Sequence, residues 1–77
     1  MTYETFLVGL KVLEQNNARQ LMRRSYRNWW QQMALWDGTF YLAACRAYAA
    51  RKPGWFPSLQ DLFEEYMQLK RHEATPI

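Results

Sequence analysis

One cysteine, one histidine and three isolated glycines leave this chain with little of what catalysis and metal binding draw on. Cys45 alone cannot form an intramolecular disulfide, and it lies far from His72, so no metal-ligand spacing exists. Neither a metal nor a cofactor is expected. Gly9, Gly38 and Gly54 do not cluster into a phosphate-cradling loop. Glu64 and Glu65 are adjacent, and adjacent helical positions diverge, so they do not form a catalytic carboxylate pair. A nucleophile needs a positioned base, yet Cys45 sits among alanines on an expected core face and His72 lies near the end of the sequence. The expectation is a protein that is not an enzyme. No apolar run approaches the roughly 20 residues that cross a bilayer, so no membrane partner is expected. A basic segment followed by an apolar stretch is also missing from the first residues, which with the single thiol points to a cytoplasmic setting.

What is present is aromatic. Thirteen of the 77 residues are Trp, Tyr or Phe, each able to bury a large area. A chain this short is expected to form one domain, 1–77, near the size at which a single core only just offsets the entropy of ordering. The remaining routes to stability are a rich core or self-association, so a homo-oligomer stays open.

The spacing of the apolar residues predicts an all-α bundle of four helices with short connections. The first, over 3–15, places Tyr3, Phe6, Leu7, Leu10 and Leu13 on one face, widened by Val8 and Val12, with Thr2 as N-cap. The second, over 18–35, carries Met22, Tyr26, Trp29, Met33 and Trp36 on an apolar stripe. Trp29 is expected inside and Trp30, about 100° away, at the edge. Asp37-Gly38 breaks the pattern, and Asp37 or Thr39 caps a third helix over 39–51. Its core face is Tyr41, Ala44, Cys45 and Tyr48, and its other alanines keep it slim. Pro53-Gly54 ends it. Ser58 with Asp61 approximates a capping box for a fourth helix over 59–70, whose core face is Leu59, Leu62, Phe63, Tyr66 and Met67. Phe56 is expected to fold back onto this helix. Trp36 and Trp55 flank the two connections and are expected to close the ends of the bundle. Residues 73–77 read as a frayed tail.

Charge is distributed unevenly. Residues 1–18 carry Glu4, Lys11 and Glu14, a net −1; residues 19–52 carry seven Arg or Lys against Asp37, a net +6; residues 53–77 carry Asp61, Glu64, Glu65 and Glu73 against Lys70 and Arg71, a net −2. Two candidate binding faces follow. One is a ridge of Arg19, Arg23 and Arg27, with Arg24 beside it and Trp30 nearby. Arginines at such spacing can follow phosphates or dock an acidic protein, and Trp and Arg are frequent interface anchors. The other is the acidic side of the last helix, Asp61, Glu64 and Glu65. A net charge of only +3 argues against tight non-specific DNA binding.

Trp29 or Trp30 in a long helix, the alanines from Ala43-Ala44 to Ala49-Ala50, and the junction Trp55-Phe56-Pro57-Ser58 leading to Leu59 and Leu62 form a recognisable order. Over Tyr26 to Tyr66, about half the chain, it resembles the small helical domain of phage replicative-helicase loaders and inhibitors, the family of the lambdoid replication P proteins. That resemblance implies a phage or mobile-element origin. It also implies a role in DNA replication by protein–protein contact, with the replicative helicase of a bacterial host as partner. Two other expectations stand beside it. One is a small anti-CRISPR-like inhibitor of a host defence complex, in which the acidic face blocks a nucleic-acid-binding surface of a host nucleoprotein. The other is direct nucleic-acid binding, to DNA or RNA.

Overall fold

The structure is a computed structural model that describes the backbone of residues 1–17 and 23–74 and the side chains of 1–15 and 25–72. It is an all-α bundle of four helices: α1 (Tyr3–Asn17), α2 (Arg23–Met33), α3 (Gly38–Arg51) and α4 (Leu59–Ala74), with no strand among the described residues. The expected start of the second helix, 18–22, lies outside the described residues. The fourth helix runs four residues beyond its expected end, so Glu73 and Ala74 continue its last turn.

The starts of α1, α3 and α4 are explained by side-chain acceptors for otherwise unpaired amides. Thr2 Oγ1 accepts from the Thr5 amide at 3.2 Å. Asp37 has extended backbone and its carboxylate accepts from the amides of Thr39 (2.9 Å) and Phe40 (3.3 Å). Ser58 Oγ accepts from the Asp61 amide while the Asp61 carboxylate accepts from the Ser58 amide, the reciprocal box expected from the sequence.

α3 is the central element. Tyr41, Ala44, Cys45 and Tyr48 are its buried residues, as expected, and it packs closely on both α1 and α4. α2 is held differently, through large rings. Trp29, buried, meets Phe56 at 5.8 Å between centroids. Trp36 stacks on Tyr66 at 4.4 Å and meets Tyr41 edge-on at 6.4 Å. The Tyr66 hydroxyl accepts from the Asp37 amide at 2.9 Å, tying the α2–α3 connection to α4. The amino group of Met1 donates to the carbonyls of Ala34 and Trp36 just past the end of α2.

Several expected core positions turn out otherwise. Tyr3 and Leu7 are 44% and 37% exposed, and Val8 is also exposed. The buried arc of α1 is instead Phe6, Gly9, Leu10 and Leu13, because Gly9 admits the Tyr41 ring and rotates the helix toward it. Phe63 is exposed, whereas Leu62 and Tyr66 take the core. Trp55 does not close an end of the bundle: it is 69% exposed. Its amide donates to the Lys52 carbonyl across a turn in which Gly54 has φ +85°. That turn, with Pro53 before Gly54, is the geometry glycine permits, and it points Trp55 outward while Pro57 is buried and Phe56 packs on Trp29 of α2.

Candidate functional site

The rotation of α1 creates a surface the sequence did not show as one unit. Tyr3 and Leu7 on α1 and Tyr26, Arg27 and Trp30 on α2 line an open groove of about 470 Å³. Trp30 is half-buried, as expected for the edge of the bundle. Its ring meets Tyr3 edge-on, with centroids 5.3 Å apart and planes at 87°, and lies 5.4 Å from Phe6. The aromatic floor therefore continues into the core through Phe6, which fixes the Trp30 orientation by packing. Tyr26 is held by its hydroxyl, which donates to Glu14 Oε2 at 3.0 Å across to α1. Arg27, exposed, supplies a guanidinium at the rim.

Of the expected arginine ridge, Arg27 and Trp30 thus come together. Arg23 and Arg24 belong to the first turn of α2, but their side chains lie outside the described residues, as does the whole of Arg19. Spacing alone had linked Arg27 to other arginines; the structure links it to two apolar residues of α1. The signal for this was the helical glycine at position 9, whose missing Cβ decides which side of α1 is buried.

The acidic residues do not form one solvated face. Asp61 is engaged in the cap of α4. Glu64 is exposed and accepts from Gln60 Nε2 at 3.2 Å. Glu65 is only 8% exposed and is ion-paired with Arg51 of α3. The physical reason is its position three residues after Leu62, which turns it toward α3, where the last turn of that helix offers a guanidinium.

Cys45 is fully buried, and desolvation pushes its thiol up to about 12. A thiol so held stays protonated at neutral pH and is a poor nucleophile. His72 is exposed in the last turn of α4. Among the described residues no group of three or more His, Cys, Asp or Glu could hold a metal ion, and no helix is long and apolar enough to cross a membrane. Compared with protein-family models, with curated proteins and with solved structures, the chain matches none.

Proposed function

We propose that this chain is a non-catalytic binding protein that docks a protein partner through the groove around Trp30. The observation that carries the reading is the make-up of that groove: one tryptophan, two tyrosines and a leucine around an exposed guanidinium. Trp, Tyr and Arg dominate the binding energy of protein interfaces, and a ring already oriented by packing loses little freedom when it is covered. An apolar floor with one cation at the rim fits a partner that presents an apolar side chain beside a carboxylate. The resemblance to phage helicase loaders and inhibitors makes the replicative helicase of a bacterial host the first candidate, and places the action within DNA replication in the host cytoplasm.

The test is titration of the purified chain against a purified bacterial replicative helicase. Saturable binding is expected, weakened at least about tenfold by Trp30→Ala and by Arg27→Glu, since truncating an interface anchor costs about 2 kcal/mol or more. Glu64→Lys should leave it intact. No binding, or binding that ignores both groove variants, removes this reading. Binding to DNA or RNA alone, falling steeply with salt and lost in Arg27→Glu, would replace it with direct nucleic-acid recognition.

A further inference from the structure

The groove around Trp30 has two unlike ends. At one end Tyr3 of α1 meets Trp30 of α2, and further along Glu14 of α1 holds the Tyr26 hydroxyl, so the two helices pass in opposite directions. The Trp30 end is aromatic, and the exposed charge beside it is Glu4, next to Tyr3 on α1. Two exposed cations stand toward the other end: Arg27, one turn before Trp30, and Lys11, one turn after Leu7. Arg27 makes no ion pair among the described residues. The acid on that stretch of α1, Glu14, is engaged with Tyr26. A carboxylate entering at this end therefore meets two cations, and a basic group meets repulsion.

The floor decides the shape of what can lie there. It is made of side chains on two helices, and no strand among the described residues offers an edge for an extended segment to pair with. An extended segment would press its own amides and carbonyls against rings and leave them unpaired. An α-helix satisfies those groups within itself. It also presents side chains one turn apart, which matches the single turn from Tyr3 to Leu7 and from Tyr26 to Trp30 along the groove walls.

We propose that the occupant of this groove is an acidic amphipathic helix of the partner protein. Two large apolar residues three or four positions apart lie on Tyr3, Leu7 and Trp30, and a carboxylate one turn further along reaches Arg27 and Lys11. This rests on the reading of the Trp30 groove as a protein-docking site.

Selection of a randomised library of peptides about four helical turns long on the immobilised whole chain tests it. Counter-selection uses Leu7→Glu, which places a charge on the floor at an exposed position. The selected peptides should carry the two apolar residues and the acid at these spacings, and synthetic copies should gain helical circular dichroism on binding. A proline between the two apolar residues, lysine in place of the acid, or Arg27→Glu in the chain should each weaken binding by about tenfold or more. Joining the lysine peptide with Arg27→Glu should recover it. A selection that yields no peptide able to tell the chain from Leu7→Glu overturns the proposal. So do binders that tolerate the proline, lack the acid or ignore Arg27→Glu. A selected helix that binds while the helicase does not upholds this proposal and removes the helicase. A helicase bound through Trp30, with selected peptides that bind extended, does the reverse.

Discussion

The Tyr41 ring lies directly over the backbone of Gly9, and its hydroxyl donates to the Phe6 carbonyl at 2.7 Å. Both residues are buried, and the ring reaches this position from α3, the central helix. A Cβ on Gly9 would stand 2.6 Å from Tyr41 Cζ and 2.7 Å from its hydroxyl oxygen, and closer still to Cε2. The contact sets the close approach of α1 to α3 and the rotation of α1 about its own axis. That rotation in turn leaves Tyr3 and Leu7 at the Trp30 groove.

Gly9→Ala is therefore expected to destabilise the fold even though alanine is the better helix former. The propensity gain is about 1 kcal/mol at most, whereas forcing a methyl into a packed core costs about 1–3 kcal/mol, and here the ring it meets is fixed by its own hydrogen bond. A net loss of about 1–2 kcal/mol in urea unfolding is the expected result. In a Tyr41→Leu background the same substitution should cost much less, because the obstructing ring is gone. Additive effects of the two substitutions would show that the contact does not govern the packing of α1.

This pair also marks where sequence reading succeeds and where it stops. α3 was legible because Tyr41, Ala44, Cys45 and Tyr48 follow one another at steps of three, one and three and so share one face, while every position after Leu42 off that face is alanine or arginine. The caps were legible because Asp37, Ser58 and Asp61 act on amides two or three residues away. α1 was not, since apolar residues cover more of its circumference than one neighbour can bury, and the choice among them falls to a residue with no side chain. Glu65 was misplaced for a related reason: a carboxylate counts as polar in any periodic pattern, and only the arrival of Arg51 from another helix makes its burial tolerable. At the candidate groove, Arg27 and Trp30 could be read from α2 alone. Tyr3 and Leu7 could not, because their exposure depends on how α1 turns.

The Arg51–Glu65 pair is asymmetric, and its two halves should respond unequally to substitution. The side chain of Glu65 is 9% exposed and that of Arg51 55%. Removing the guanidinium with Arg51→Met keeps the aliphatic stem but leaves a nearly buried carboxylate without this partner, at a cost of about 1 kcal/mol or somewhat more. Solvent screening of the exposed arginine holds the figure down. Glu65→Gln leaves an arginine that water already reaches, and should cost only a few tenths of a kcal/mol. Urea midpoints of the two variants at neutral pH check the order. If Glu65→Gln proves the more damaging, the carboxylate is stabilised by something other than Arg51.

Cys45 gives the fold a dependence on alkaline pH whose sign can be worked out. Burial raises the thiol from its ordinary 9.0 to about 12, so the folded chain holds that proton more tightly than the unfolded chain does. A raised value contributes stability that is fully present below pH 9 and is lost as the pH climbs toward 12, since in that window the unfolded state ionises and the native state does not. Tyr41 acts in the same direction from its ordinary 10.0 upward, chiefly because its phenol is also desolvated. The urea midpoint should therefore be flat from pH 7 to about 9 and fall beyond it. In Cys45→Ala the fall should begin later, nearer the range in which Tyr41 ionises in the unfolded chain. The same burial predicts the chemistry of the thiol. Under native conditions at neutral pH, iodoacetamide should modify Cys45 only as fast as the protein opens, and urea should speed the reaction by the amount that it raises the open fraction. Alkylation of the native chain at the rate of a free thiol would mean that the Ala44–Cys45 face of α3 is open to solvent, and the packing of α3 between α1 and α4 would have to be redrawn.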